Sequence, residues 1–199
     1  MAVSAARRRP AAASPALLPL AAAAVLLLAA ASPRPAAAQA PTIFDVVSKD
    51  GAFTTLAAGL QKAGLAAAFA NPNLKPQVTC FAPTDAAFNA VAKRFGVTPD
   101  VAFGNRNLLN TVINLHLLPR RLSVAQLLDA PLQDTRTPGY KMVVAPLAGG
   151  RGGASVALRN IANPPAPIVR PDMGASNGVV HGIAGIMLPF KLPGTRRML

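Results

Sequence analysis

Few side chains in this 199-residue chain could carry out chemistry: two histidines, His116 and His181, one cysteine, Cys80, and seven aspartates without a glutamate. A hydrolytic triad needs a nucleophile, a base and an orienting acid within hydrogen-bond reach. The one G-x-S-x-G match, G-A-S-N-G at residues 174–178, contains the Asn-Gly of a predicted hairpin turn, whereas a nucleophile elbow is a strand-to-helix turn. Neither histidine lies in an H-E-x-x-H sequence, and the single cysteine rules out C-x-x-C. The glycine cluster at residues 149–153 lacks a phosphate-binding pattern. We therefore predict a protein that is not an enzyme and has no catalytic, cofactor-binding or metal site.

The lone cysteine lies in the apolar, strand-like run "QVTCFAP". With no second cysteine, the chain cannot form an internal disulfide and must be stabilised by its core. A reactive thiol would need histidine or cationic neighbours. We predict that Cys80 is buried as a small apolar side chain.

The first forty residues are typical of an export signal. Arg7, Arg8 and Arg9 precede an apolar run at residues 17–31, and small residues near Ala38 and Ala40 fit a cleavage site. The apolar run is shorter than the roughly 20 residues that span a bilayer. An N-terminal anchor and a plastid-type targeting segment are the other interpretations. We predict a secreted protein, extracellular or at the cell surface, with the periplasm or plastid lumen as alternatives and no transmembrane segment in the mature chain.

The chain is strongly basic, with a formal net charge of +13 that falls to +9 without the four arginines of residues 1–40. Such a surface attracts acidic polysaccharides or anionic headgroups. The arginines are scattered, apart from the pairs Arg120–Arg121 and Arg196–Arg197, and aromatic residues are scarce, which argues against nucleic acid. A compositional bias toward arginine is the alternative explanation of the charge.

Helical and extended patterns divide the chain into two halves. Helical spacing dominates the first half, where Phe88, Val91, Ala92 and Phe95 are predicted to form the buried face of one helix. Short β-rich runs fill the second half: "YKMVVAPL", "SVALRN", "PIVRPDM" and "NGVVHGIAGIMLP". This order predicts an α+β fold with a mostly antiparallel sheet.

Residues at the ends of the helical patterns give the local stop and start signals. Thr42 and Thr84 are predicted N-caps, and Asp50 is in position to cap the second helix. Gly64 and Gly96 follow the last periodic residues of two helices, where glycine ends a helix readily.

Three stretches together resemble the fasciclin domain, a secreted adhesion module. "TCFAPTDAAFNAV" at residues 79–91 is similar to the family's first signature, "NGVVHGIAGIMLP" at residues 177–189 to its second, and "NLHLLP" between them to its Tyr-His segment. The resemblance implies a single domain over residues 41–190, with N-terminal helices packed beside a β-wedge, between a removed signal peptide (1–40) and a short basic tail (191–199). It also implies a non-catalytic protein of the cell surface, cell wall or matrix.

Within these signatures, six residues are predicted to be structural. Thr84 caps a helix and Asp85 adds negative charge at its positive end. Asn177 and Gly178 form a hairpin turn. A histidine on an apolar strand usually bonds to the backbone, so His181 is expected to hold the last hairpin and His116 the corner from helix to strand.

Candidate partner contacts follow from the resemblance and the charge. Animal members that bind cell-surface receptors have Asp-Ile just before the second signature, and this chain has Asp172-Met173 there; Leu115 stands where the family often has tyrosine. Asp172, Met173, Arg120 and Arg121 are the candidate contacts. The expected partner is an extracellular protein or an acidic polysaccharide, with weak self-association. The alternatives are a polysaccharide- or membrane-surface-binding protein acting mainly through charge, and a small-ligand carrier.

Overall fold

The computed structural model describes residues 39–96, 104–147, 155–159 and 164–190. The tail at 191–199, with Arg196 and Arg197, and all but the last two residues of the predicted signal segment lie outside them. The helices are α1 (Ile43–Lys49), α2 (Thr54–Ala63), α3 (Ala66–Phe69), α4 (Asp85–Phe95), α5 (Arg106–Leu115) and α6 (Val124–Asp129). The strands are β1 (Val78–Pro83), β2 (Leu117–Leu118), β3 (Leu132–Asp134), β4 (Lys141–Leu147), β5 (Ser155–Arg159), β6 (Ala166–Ala175) and β7 (Gly178–Ile183).

The seven described strands form one sheet in the order β2-β1-β7-β6-β5-β4-β3. Every neighbouring pair is antiparallel except β1 and β7, which run parallel from Val78–Gly178 to Pro83–Ile183. The predicted α+β fold with a mostly antiparallel sheet is confirmed. The parallel pair places the two sequence signatures side by side at the centre of the sheet.

Strands β1 and β7 are buried at every position because they are covered on both faces. Cys80 and Val180 pack with side chains of α1, α2 and α5 on one face. Phe81 and Ile183 pack on the other face with Leu127 of α6 and with strands β4 and β5. Burial on both faces explains why these strands are nearly continuous apolar runs rather than alternating ones.

The predicted burial of Cys80 is confirmed, since its residue is 4% exposed. Burial raises the pKa of the thiol to about 12, because an anionic thiolate loses its hydration inside the core. The thiol is therefore protonated at neutral pH and acts as an apolar side chain.

Local signals place several helix ends correctly. Thr42 forms a capping box with Asp45 at the start of α1. Gly64 and Gly96 end α2 and α4 in the left-handed conformation, with φ of 75° and 65°, which glycine adopts without steric cost. At the start of α4, Thr84 Oγ1 accepts a hydrogen bond from the backbone N–H of Ala87.

The prediction that Asp50 caps the second helix is wrong. Its side chain accepts a hydrogen bond from Ala52 N, and α2 begins later, at Thr54. The carboxylate of Asp85, at the start of α4, instead accepts from Thr54 N at 3.2 Å and Thr55 N at 2.8 Å. Burial opposes ionisation of Asp85, but the hydrogen bonds from Thr54 and Thr55 hold its pKa below the usual value. One aspartate thus serves two helix starts.

The buried face predicted for α4 differs from the one observed. Ala87, which was not predicted, is buried, and the side chain of Phe95 lies outside the described part of the chain. Phe88, Val91 and Ala92 are only half-buried. These three side chains line a cavity between α4 and the rest of the core.

The predicted hairpin between β6 and β7 is displaced by one residue. Ala175 pairs with Gly178, so Ser176 and Asn177 are the turn residues and Gly178 is the first residue of β7. Gly178 has no positive φ. A glycine is needed at this position for close packing against β1 and not for the geometry of the turn.

Asn177 is fully buried and joins three segments of the chain. Its Oδ1 accepts from Ile43 N at 2.9 Å, at the start of α1. Its Nδ2 donates to Phe69 O at 2.8 Å, at the end of α3, and to Asn71 O at 2.9 Å. The amide thereby satisfies backbone groups that would otherwise lack partners in the core.

His116 is buried where α5 meets β2. Its Nδ1 donates to Val112 O at 2.7 Å, and its Nε2 accepts from Met187 N at 3.0 Å. These partners fix the neutral tautomer with the proton on Nδ1. Burial lowers the pKa of His116 from 6.5 to about 4, although the Val112 carbonyl favours the protonated form.

The close contact at Gly178 gives the first testable prediction. A Cβ at this position would lie 2.1 Å from the backbone oxygen of Val78, whereas a Cβ at Gly174 meets nothing within 4 Å. We expect Gly178→Ala to lower the free energy of unfolding by about 3 kcal/mol, because the backbone of the paired strand must move. Gly174→Ala in β6 is the matched control and should change it by less than about 1 kcal/mol. Urea unfolding measures both, and equal losses would contradict the close-packing argument.

The buried His116 gives a second prediction, on pH dependence. Its pKa is lower in the folded state, so the unfolded chain binds more protons below about pH 6.5. The stability that the neutral, buried His116 contributes is therefore present above that pH and is lost as the pH falls toward 4. Between pH 7 and pH 5 the free energy of unfolding should fall by about 2 kcal/mol through this residue alone. The His116→Gln variant should have a lower free energy of unfolding at pH 7, and that free energy should fall less between about pH 7 and pH 5 than it does in the unchanged protein. An unchanged pH slope in the variant would show that His116 does not titrate on unfolding.

Candidate interaction site

The connection between β2 and α6, residues 119–123, is fastened to the sheet by Thr79. This threonine is fully buried in β1. Its Oγ1 donates to Arg120 O at 2.7 Å and accepts from Leu122 N at 2.9 Å. Because both bonds go to the backbone, the segment on either side of Arg121 has a fixed path.

His181, in β7, joins this connection to β6. Its Nε2 donates to Leu122 O at 2.9 Å, and its Nδ1 accepts from Asp172 N at 3.0 Å. The ring stacks on Phe81, its partner in β1, with centroids 5.6 Å apart. Burial lowers the pKa of His181, although the Leu122 carbonyl and the Asp172 carboxylate favour the protonated form.

Asp172 lies where the pairing of β6 with β7 is irregular, between Arg170 and Met173. Its φ is 53°, a left-handed conformation that is uncommon outside glycine, although aspartate and asparagine tolerate it better than most. Its Oδ1 accepts from Val124 N at 3.1 Å, at the first turn of α6. The side chain remains 48% exposed, so it combines a fixed position with access to solvent.

Arg121 lies on the same side of the sheet as Asp172. Its Nη1 donates to Ala175 O at 3.0 Å, near the end of β6. Arg121 and Asp172 border one open depression together with Ser123, Gln126 and Val179. We call these five residues the interaction site.

The four sequence-based contact candidates divide into two groups. Asp172 and Arg121 come together in the interaction site. Met173 is half-buried against the helix-side core. Arg120 Nη2 donates to Gln133 Oε1 at 2.6 Å, toward the β3 edge of the sheet. Residues that are adjacent in the sequence, such as Arg120 and Arg121, therefore lie in different surroundings.

Sequence reasoning missed Ser123, Gln126 and Val179 as members of this site. The Ser-x-x-Gln spacing was a detectable signal, but only for local structure. Ser123 Oγ accepts from Gln126 N, and Gln126 Oε1 accepts from Ser123 N, which completes a capping box on α6. The proximity of this cap to Asp172 depends on tertiary packing.

The two histidines of the chain are both engaged in hydrogen bonds to the backbone. Both ring nitrogens of His181 and of His116 are occupied by backbone partners, which leaves neither ring a free nitrogen for proton transfer or metal binding. Within the described residues, no group of three histidine, cysteine or acidic side chains could hold a metal ion. No helix in that part of the chain has the length and apolar character needed to cross a membrane.

Comparisons with known proteins agree with this architecture. A family model described as "Fasciclin domain" matches residues 51–189. The chain is 28% identical over 155 residues to Protein sll1483 of Synechocystis sp., with 77% of each chain covered.

The fold also resembles the FAS1 domain pair of the insect cell adhesion molecule Fasciclin I, with a TM-score of 0.63 at 14% identity. That match covers 75% of this chain and 51% of the solved chain, so this protein spans about half of the pair. Fasciclin domains are known as cell-adhesion modules, typically extracellular or at the surface and typically non-enzymatic. The chain belongs to the fasciclin domain family.

Proposed function

We propose that this protein is a secreted, non-catalytic adhesion or matrix module that binds an extracellular protein through the interaction site. The observation that carries the proposal is Asp172, whose backbone N–H and carboxylate are both held while the side chain stays 48% exposed. A charged group fixed in advance loses little conformational entropy on binding.

The two charged residues of the site would give recognition with a defined geometry. Arg121 is exposed and anchored by one hydrogen bond to Ala175 O. Arginine can use its remaining N–H groups for planar, bidentate contacts with carboxylates. An exposed anion and an exposed cation in one depression fit a partner that presents both charges, as a protein surface does.

We propose structural roles for five residues of the two signatures. Thr84 and Asp85 order the helix starts, and Asn177 and Gly178 allow β7 to lie against β1. His181 holds the backbone on which Asp172 is displayed.

The proposed compartment follows from the N-terminal sequence. We propose that residues 1–40 are removed on export and that residues 41–190 form the working domain, followed by the basic tail 191–199. The destination is the extracellular space or cell surface, with the periplasm and plastid lumen as alternatives. Sequencing the N-terminus of the protein isolated from its native source tests this: a start near residue 39 or 41 supports export, and an intact Met1 in a cytosolic fraction contradicts it.

The interaction site gives a third prediction. Beads coated with the protein should attach to cells of the native source, and Asp172→Asn should reduce attachment about tenfold by removing one charge. Asparagine tolerates the left-handed backbone and keeps an acceptor for Val124 N, so the fold should be retained. Arg121→Gln should act similarly.

Two exposed residues outside the site supply matched controls. Asp134, which pairs with Lys141 on the sheet surface, gives Asp134→Asn, and exposed Arg136 gives Arg136→Gln. Surface pairs of this kind contribute little stability. If all four variants attach as the unchanged protein does, the interaction site is not the binding surface.

A second candidate function is charge-driven binding to acidic polysaccharides, favoured by the net charge of +9 outside residues 1–40. Binding to polygalacturonate should then weaken at least tenfold between 50 and 500 mM salt, because exposed charges are screened beyond about a Debye length. Dextran, a neutral polysaccharide, should not bind. Salt-independent binding to polygalacturonate would contradict the electrostatic mechanism, and binding unaffected by Asp172→Asn would separate it from the interaction site.

A further inference from the structure

A cavity of about 340 Å³ lies between α4, α5, α2 and the central sheet. Its floor includes Leu60 and Leu117, each 1% exposed, and its walls include Ala92 of α4 and Val112 of α5. Phe190, 45% exposed, borders the side that opens to solvent. The volume falls in the range of pockets that hold small molecules.

The described lining is almost entirely carbon. Only Cys80 and His116 carry a side-chain heteroatom among the lining residues. The two nitrogens of His116 are already bonded to Val112 O and Met187 N, and the Cys80 thiol is buried and protonated. A polar ligand would therefore lose its hydrogen bonds to water on entry without replacement.

The same lining is unsuited to an extended peptide as the occupant. Each residue of an extended peptide brings a backbone N–H and C=O that need partners, and none of the described lining side chains has a free one. Water is a poor occupant for the same reason, since apolar cavities stay dry and take up apolar molecules.

We propose that this cavity binds a free fatty acid by its hydrocarbon chain, with the carboxylate at the open side near Phe190. A methylene group is about the size of a water molecule, whose share of liquid volume is about 30 Å³, so the cavity holds roughly a dozen carbons. The positive net charge favours an anionic head left in solvent. This site is separate from the interaction site, and it stands or falls independently of the adhesion proposal.

The half-buried face of α4 is consistent with an occupied cavity. Phe88, Val91 and Ala92 are half-buried, and all three line the cavity. An acyl chain would cover this surface and complete the packing between α4 and α5. The lining also contains Gly59, in the interior of α2.

Titration calorimetry with dodecanoate, kept below its micelle concentration, tests the proposal. We expect saturable 1:1 binding, and at least about 100-fold weaker binding of butanoate, which has the same head group but eight fewer methylene groups. Equal affinities for dodecanoate and butanoate would indicate charge-only binding and overturn the proposal. Absence of saturable dodecanoate binding would also overturn it.

Two variants of one helix locate the binding. Ala92→Phe fills the cavity and should weaken dodecanoate binding at least about tenfold, while Ala90→Phe, at an exposed α4 position that does not line the cavity, should stay within about twofold. Circular dichroism checks that each variant is folded. Val112→Phe fills the cavity from α5 and replaces Ala92→Phe if that variant does not fold. Equal affinities for the filled and control variants would overturn the assignment.

Discussion

The parallel pairing of β1 with β7 is the contact on which the rest of the structure depends. It joins residues about a hundred positions apart and holds all six residues of each strand in the interior. The close approach at Val78 and Gly178 leaves no room for a side chain. Helices α1, α2 and α5 pack on one face of this pair, and α6 packs with the outer strands on the other, so both halves of the core share it.

Burying two strands completely requires that every polar group near them finds a partner. Thr79, Asn177 and His181 are each fully buried and each bonds mainly to backbone atoms of distant segments. An unpaired buried polar group lowers the stability of the fold by roughly 1–3 kcal/mol, so the fold depends on these hydrogen bonds. They also give the interaction site its shape, because Thr79 and His181 fix the backbone beside Arg121 and Asp172. In this protein the polar atoms that satisfy the core also position the surface.

Local rules in the sequence predict much of the fold, and tertiary packing accounts for the misses. The capping box at Thr42 and the left-handed glycines at 64 and 96 act within a few residues, so their sequence neighbours identify them. The cap of α2 comes from Asp85, thirty positions away from Thr55, and no local pattern reveals it. The predicted hairpin turn is one residue out of place because an Asn-Gly pair usually marks a turn. Here the asparagine bonds to three distant backbone groups, and the glycine allows close packing of two strands.

The candidate site was predictable only residue by residue. Asp172 and Arg121 were identified from a resemblance and from charge, and neither signal could show that they share a depression. The sequence also gives an indication of the cavity, because Phe88, Val91 and Ala92 have the helical spacing that predicts a buried face. Periodicity indicates which face of a helix is apolar, but it cannot tell a face covered by protein from one that borders a space.

Phe81 connects the two proposed sites, because it lines the cavity and stacks on His181, which holds Asp172. Proximity alone does not couple two sites; coupling needs an element with two arrangements that both ligands bias. Phe81 is fully buried, and His181 uses both ring nitrogens in one hydrogen-bonding pattern. His181 has no free ring nitrogen for a second arrangement, and the Phe81 side chain packs with Leu127 and Ile183 on the face of the sheet away from the helices that enclose the cavity. We therefore expect an acyl chain in the cavity to stabilise the fold by mass action without changing the affinity of the interaction site for its partner. The cavity and the interaction site would then function independently.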